Sequence, residues 1–103
     1  MNDKFLLMLG IAKKAGKLTV GLEALEAFRF GRRPAMIIIA SDTAKNSIKK
    51  VTAQMDGKLE PTIVTYTKAE LGNAVSFAEA GIIGITDKGI AKALKGILEG
   101  MVK

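Results

Sequence analysis

Residues 36–40 read Met-Ile-Ile-Ile-Ala, a run of apolar and mostly β-branched side chains with no polar residue between them. A strand with one face in water alternates apolar and polar residues, whereas a strand covered on both faces does not. The run therefore predicts a central strand of a sheet that has helices packed on both sides. The rest of the chain has to supply those helices.

Helical periodicity and strand-like runs alternate along the chain. The expected strands are 17–20, 36–40, 62–66 and 82–86, and the expected helices are 4–15, 21–31, one that stops at 56–57, a short one after 67 and a last one after 87. Such alternation places helices on both faces of a mostly parallel or mixed sheet. We therefore predict an α/β fold, a three-layer α/β/α sandwich with a four-stranded mixed sheet, in a single domain over residues 1–103.

Capping signals support several of these boundaries. Asn2 or Asp3 is placed to cap the first helix, and Gly16 is placed to end it in the left-handed conformation. Thr67, with Glu70 three residues later, forms a capping box for the short fourth helix. These signals fix where the helices begin and end more firmly than hydrophobic periodicity does.

Two aspartates follow expected strands and have two interpretations. Asp42 and Asp87 stand where open α/β sheets place ligands, so a carboxylate site for a metal ion or a phosphoryl group is one of them. Each also stands where a helix N-cap is needed, and capping requires no further assumption. We favour capping at both positions.

Histidine and cysteine are both absent from the chain. Their absence excludes imidazole general bases, Ser-His-Asp and Cys-His arrangements, disulfides and the usual zinc sites. Most hydrolase mechanisms are therefore not expected, which leaves a small enzyme built on Asp42 and Asp87 as the remaining catalytic alternative. The lack of cysteine also fits a reducing cytoplasm, and no apolar stretch approaches the roughly 20 residues of a membrane span. We expect a cytoplasmic protein with no membrane partner.

Sixteen Lys and Arg residues against ten Asp and Glu give a formal charge of +6 and a pI near 9.7. On a chain of 103 residues, this excess attracts polyanions, of which nucleic acid is the commonest. Charge kept for solubility is the alternative. The balance favours a nucleic-acid partner.

Lys13, Lys14 and Lys17 are expected to gather at the start of the second helix. The anion site expected beside them consists of unpaired backbone N–H groups at Gly21, Leu22 and Glu23. A second polar and basic cluster follows the central strand, and one further lysine begins the fourth helix; these residues are Lys45, Asn46, Lys49 and Lys68. A solvated helix face is the alternative interpretation of the second cluster.

Phe77 lies in the expected loop 76–81, between the fourth helix and the last strand. An aromatic ring in such a loop can stack on a splayed RNA base, or it can fill the core beside the helix, and the sequence leaves both alternatives open. The chain has one Tyr, four Phe and no Trp, so a platform that stacks many bases is not expected.

The order of motifs resembles a known family. The segments are LLMLGIAKKAGK at 6–17, a glycine at 21 that opens a helix, IIIASD at 37–42 and KAELG at 68–72. Together they resemble the ribosomal protein family of large-subunit proteins seven-Ae and thirty-e, and most closely its short bacterial members. The resemblance covers essentially the whole chain. It implies a three-layer sandwich that binds kink-turn RNA, with no cofactor and no catalysis.

The resemblance also assigns roles to residues. Gly21 matches the glycine that opens the RNA grip, Ile48 matches an apolar contact position, and Lys68 matches a lysine that contacts phosphate. Leu71 and Gly72 match the motif that shapes the last loop. The full set of expected RNA-binding residues is Lys14, Lys17, Gly21, Leu22, Glu23, Lys45, Ile48, Lys68, Ser76 and Phe77.

The chain departs from this family at four positions. Kink-turn binders usually carry Asn and Glu two and three residues after the glycine and Lys six after it, where this chain has Glu23, Ala24 and Ala27. Ser76 replaces a glycine that is common in the last loop. The departures weaken base reading more than general RNA binding. We therefore expect a monomeric, ribosomal or ribosome-associated RNA-binding protein; a protein-interaction adaptor that has lost most kink-turn recognition is the alternative.

Overall fold

The computed structural model describes residues 3–21, 34–55, 59 and 61–101. In chain order the described elements are α1 (Lys4–Lys14), β1 (Leu18–Val20), β2 (Met36–Ile39), α2 (Lys45–Met55), β3 (Thr62–Ile63), α3 (Lys68–Ala74), β4 (Ile82–Ile85) and α4 (Lys88–Met101). The expected second helix over 21–31 and the expected helix stop at 56–57 lie outside the described residues, apart from Gly21 itself. Within the described part of the chain, no helix has both the length and the apolar character to cross a bilayer.

The four strands form one mixed sheet in the order β1-β4-β2-β3. β4 pairs antiparallel with both β1 and β2, and β2 pairs parallel with β3. β2 and β4 are therefore the central strands, and Ile38 faces Ile83 across the ladder between them. The predicted α/β architecture with a four-stranded mixed sheet is confirmed.

Every residue of β2 is buried, which confirms the prediction from its uninterrupted apolar run. Met36 and Ile38 point into a core that also holds side chains of α1, α3 and α4. Ile37 and Ile39 point the other way, into a second core with Val51 and Met55 of α2. This alternation of direction along a strand puts helices on both faces of the sheet.

The capping predictions at three helix starts are confirmed. Asp3 accepts a hydrogen bond from the backbone N–H of Leu6, and Asp87 accepts one from that of Ile90. Thr67 and Glu70 form the reciprocal capping box, in which each side chain accepts from the backbone N–H of the other residue. Gly16, with a φ of 72°, follows α1 in the left-handed conformation that was predicted for it.

The predicted third strand is too long. Only Thr62 and Ile63 pair as a strand, and the chain bends before Tyr66. The buried ring of Tyr66 stacks on Phe5 of α1, with ring centroids 5.1 Å apart and planes at 4°. The tyrosine hydroxyl donates a 2.6 Å hydrogen bond to Asp3 Oδ2. Tyr66, which the sequence pattern assigned to the strand, therefore packs against α1 beyond the end of β3.

This hydrogen bond changes the acidity of both groups. The bond from Tyr66 is the main reason that the pKa of Asp3 lies below its usual value, and backbone N–H donors reinforce it. Burial, followed by the bond to Asp3, raises the pKa of Tyr66. Because Asp3 also caps α1, the pair ties the start of that helix to the segment after β3.

We expect Tyr66→Phe to lower the free energy of unfolding by about 1–2 kcal/mol at pH 7, because a hydrogen bond to a carboxylate is lost while the ring stacking remains. A depressed carboxyl pKa stabilises the fold above the pKa of the unfolded chain, and that stabilisation disappears as pH falls through the folded-state value. The difference from the unsubstituted protein should therefore shrink below about pH 4. Urea unfolding at pH 7 and pH 3 measures it; an equal difference at both would contradict the assignment.

Candidate nucleic-acid interface

Three backbone segments meet where β1 and β2 end and β4 begins. The N–H of Gly21 donates to the carbonyl of Ile82 (2.8 Å), and the N–H of Ala40 donates to the carbonyl of Gly81 (2.9 Å). The hydroxyl of Thr43 donates to the same Gly81 carbonyl at 3.2 Å. We call this group, Gly21, residues 40–43 and Gly81, the Gly81 edge.

Lys68 joins α3 to the Gly81 edge. Its backbone N–H donates to Asp42 Oδ1 at 2.8 Å, and its carbonyl accepts from the N–H of Ala80 at 2.9 Å. The aliphatic stem of its half-buried side chain passes Gly81, where an added Cβ would lie 3.4 Å from Lys68 Cδ. The lysine is therefore held at the edge by both its backbone and its stem.

Asp42 caps a helix, as predicted, but not the helix that follows it in the sequence. Its carboxylate accepts from the first N–H of α3, which lies 26 residues later in the chain, instead of capping α2. Its charge also lies at the positive end of that helix. Among the described residues, no group of three or more acidic side chains is placed to hold a metal ion.

Residues 76–81 form a loop that begins against Gly72 and returns to the Gly81 edge. The N–H of Phe77 donates to the Gly72 carbonyl at 2.8 Å. The Phe77 ring is 46% exposed, so the alternative in which it fills the core is wrong. Lys13 Nζ lies 5.6 Å from the centre of this ring, at cation–π distance. The loop thus presents an aromatic face with an ammonium group beside it.

The predicted grouping of lysines at Gly21 is wrong for Lys17. The carbonyl of Lys17 accepts from Thr86, beyond the end of β4, whereas Gly21 pairs with Ile82 at its start. Four residue steps along the strand separate these positions by about 13 Å. The Gly21 N–H is also hydrogen-bonded, so it is not one of the unpaired donors that the sequence predicted. Leu22 and Glu23, the other two donors, lie outside the described residues.

The remaining predicted residues divide by location. Lys45 is exposed at the start of α2, just after Thr43 of the Gly81 edge. Ile48 is half-buried because its side chain packs against the second core. Lys14 is exposed and borders a groove between α1 and α3. Lys45, Lys68 and the end of the 76–81 loop are therefore the predicted elements that the fold brings to one end of the sheet, while Phe77 lies further along the loop beside Lys13.

That groove was missed by the sequence reasoning. Its volume is about 490 Å³, and its apolar lining includes Leu7 and Ile11, which are 57% and 55% exposed. The two side chains are four residues apart, so they lie on one stripe of α1. Their spacing was a usable signal, but the wide apolar face predicted for this helix consisted of other residues, namely Phe5, Leu6, Met8, Leu9 and Ala12.

Ser76 has a φ of 65°, which is the left-handed conformation that L side chains rarely adopt. This geometry explains why a glycine is common at this position in the family that the sequence resembles. We expect Ser76→Gly to raise the free energy of unfolding by about 0.5–1 kcal/mol, because the strain removed exceeds the entropy lost. Urea unfolding measures it, with Ser76→Ala as control. A Gly variant no more stable than the Ala variant would contradict the strain.

Comparisons with known proteins agree with the fold. No protein-family model matches the chain. It is 29% identical over 99 residues to RNA-binding protein YlxQ of Enterococcus faecium, covering 96% of this chain and 95% of that one. It is 25% identical over 92 residues to the Bacillus subtilis protein of the same name, covering 89% and 92%.

Two solved structures share the architecture. A Bacillus halodurans protein of unknown function superposes with a TM-score of 0.84 at 26% identity, covering 95% of this chain and 99% of that one. The 15.5 kD RNA-binding protein of Giardia lamblia superposes with a TM-score of 0.68 at 19% identity, covering 97% and 89%, which shows a shared fold. Along nearly its whole length, the chain is thus similar to two bacterial proteins named as RNA-binding proteins, and it has the fold of a third RNA-binding protein.

Proposed function

We propose that the protein is a non-catalytic RNA-binding protein of the family that includes the large-subunit proteins seven-Ae and thirty-e, and that it holds RNA at the Gly81 edge and the 76–81 loop. The observation that carries this proposal is the exposed Phe77 ring beside the Lys13 ammonium, in a loop anchored to that edge. The similarity to proteins named as RNA-binding supports it.

The arrangement combines the two kinds of contact that RNA recognition requires. Lys45 and Lys68 supply cations at the edge. Pairing of these cations with RNA phosphates would release the counterions that surround the RNA. Phe77 supplies an aromatic face, and unpaired bases of RNA loops and bulges commonly stack on such faces. Structured RNA with a splayed nucleotide therefore fits the site better than a plain duplex.

A kink-turn is the structured RNA that we propose, and a ribosomal or ribosome-associated role in translation is the setting. Both rest on the resemblance of the sequence motifs and not on contacts in the structure. Glu23, Ala24 and Ala27 replace the residues that usually read the sheared base pairs, so we expect the preference for a kink-turn over other structured RNA to be modest. We also propose that the protein is cytoplasmic and monomeric.

A gel-shift assay tests the proposal, with a kink-turn RNA and a plain duplex of equal length at two salt concentrations. We expect tighter binding to the kink-turn RNA and a steep loss of affinity for both RNAs as salt rises. Lys45→Ala should reduce the salt slope by about one, because one phosphate contact is lost. Lys50→Ala is the matched control, since this exposed lysine lies about 140° around the same helix.

The outcomes separate the parts of the proposal. No binding to either RNA would refute RNA binding itself. Equal affinity for the two RNAs would leave general RNA binding and remove the preference for structure. Equal effects of Lys45→Ala and Lys50→Ala would show that the Gly81 edge is not the contact surface.

A second candidate function is a protein-interaction adaptor. The exposed Leu7 and Ile11 beside the α1–α3 groove favour it, because neighbouring large apolar side chains are rarely left in water without a partner. An amphipathic helix of a partner protein fits a groove of this kind. Partners captured from nuclease-treated lysate should then be lost with Leu7→Ser/Ile11→Ser but retained with Phe77→Ala. Capture that disappears with nuclease treatment alone would favour the RNA-binding proposal.

A further inference from the structure

Four exposed lysines form a second basic surface that starts at the other end of the sheet from Gly21 and runs back along α4. Lys88, Lys92 and Lys95 lie within about 60° of arc on the exposed side of α4. Lys17 is near the start of this row, because its carbonyl pairs with Thr86 two residues before Lys88. We call these four residues the α4 lysine row. The row includes Lys17, which the fold places away from the Gly81 edge.

The charges of the α4 lysine row are not neutralised by the described part of the chain. None of the four ammonium groups forms an ion pair with another described residue. The nearest carboxylate in sequence, Asp87, accepts the backbone N–H of Ile90. Like charges three and four residues apart destabilise a helix. The fold therefore carries a row of mutually repelling cations, which an external polyanion would relieve.

The row is long enough for contact with a nucleic-acid backbone. Lys88 to Lys95 spans about 10.5 Å of helix axis at 1.5 Å per residue. One strand of double-stranded DNA carries a phosphate charge about every 3.4 Å along the axis, so several phosphates lie within this length. Glu99, four residues beyond Lys95, ends the row with an opposite charge. The basic surface is thus long enough for a backbone contact and has a definite end.

We propose that the α4 lysine row is a second, sequence-independent contact for the phosphate backbone of RNA, used by a helical arm that extends beyond the Gly81 edge. This inference rests on the proposed RNA binding. Lys17 lies about 13 Å from Gly21 along β1, so an RNA that covers only the edge does not reach the start of the row at Lys17 and Lys88. Affinity should therefore grow with arm length, and the extra affinity should be purely electrostatic.

The test uses the full chain and two RNAs, a kink-turn RNA with minimal arms and the same RNA with both arms lengthened by about one helical turn. The key variant is Lys17→Gln/Lys88→Gln, because these two lysines lie at the far end of the sheet. On the long RNA its salt slope should fall by about two, and on the short RNA it should match the unsubstituted protein. Lys17→Arg/Lys88→Arg keeps both charges and should behave as the unsubstituted protein does.

Single substitutions supply the matched control for net charge. Lys88→Gln should lower the salt slope on the long RNA by about one, whereas Lys50→Gln on α2 should leave it unchanged. A double variant that binds the long RNA as the unsubstituted protein does would overturn the inference, and so would an equal loss on both RNAs. If Lys45→Ala binds RNA less tightly but the variants of the α4 lysine row bind as the unsubstituted protein does, only the second contact is overturned. No binding of either RNA by the unsubstituted protein would overturn RNA binding and the second contact together.

Discussion

Gly72→Ala is expected to lower the free energy of unfolding by about 3 kcal/mol, the upper end of what overpacking usually costs. A Cβ at this position would lie 2.8 Å from the Phe77 carbonyl oxygen, 2.8 Å from Glu79 Cα and 2.9 Å from Glu79 N. All three neighbours are backbone atoms, so no side-chain rotation can make room. The 76–81 loop would have to move away from α3, and the Phe77 ring would move with it.

Gly96→Ala is the matched control for this substitution. Gly96 lies in the exposed part of α4 and has no heavy atom within 4 Å of an added Cβ. Alanine there should raise the free energy of unfolding by up to about 1 kcal/mol, because glycine is the poorer helix former. Urea unfolding of both variants measures the contrast. A Gly72→Ala protein as stable as the unsubstituted one would show that the loop is not packed on Gly72 as described.

The same close contact shows how a short motif can predict a shape. Leu71 and Gly72 were assigned to shaping the last loop by resemblance alone, and the structure supplies a physical reason. Leu71 is fully buried in the core, while Gly72 lets the loop backbone pass at contact distance. Two adjacent residues thus fix both the position of α3 and the path of the chain after it.

Features that depend on a few consecutive residues were predictable. The burial of β2 followed from its unbroken apolar run, and the caps of α1, α3 and α4 followed from single polar residues near each helix start. Each of these depends on backbone geometry within about one turn, which a local pattern can specify. The mixed four-stranded sheet followed from their order.

Features that depend on distant partners were not predictable in the same way. Asp42 finds its N–H donor 26 residues later, at Lys68, and nothing near it in the sequence indicates that pairing. Lys17 and Gly21 are close in sequence, yet β1 carries them to opposite ends of the sheet. Residues three or four positions apart are neighbours on a helix, but in a strand they are carried apart along its length. The predicted lysine cluster at Gly21 did not allow for β1, which lies between Lys17 and Gly21.

Phe77→Ala is expected to reduce the affinity for a kink-turn RNA by about tenfold or more, since stacking of one base on an aromatic ring contributes about 1–3 kcal/mol. The ring is 46% exposed, so its removal should change the free energy of unfolding little. Affinity for a plain duplex should stay unchanged, because a duplex offers no splayed base. Gel shifts with both RNAs measure the two effects.

Two further variants make the Phe77 result specific. Phe77→Tyr keeps an aromatic face and should retain most of the affinity, because stacking needs the ring and not its edge chemistry. Leu7→Ala removes a side chain of similar exposure from α1 and should leave RNA binding unchanged. If Phe77→Ala and Leu7→Ala weaken kink-turn binding equally, the ring does not hold a base and the effect is a general loss of apolar surface. If only Phe77→Ala weakens it, the loop and the Gly81 edge act as one surface, in which the lysines hold the backbone and the ring holds the base that the backbone presents.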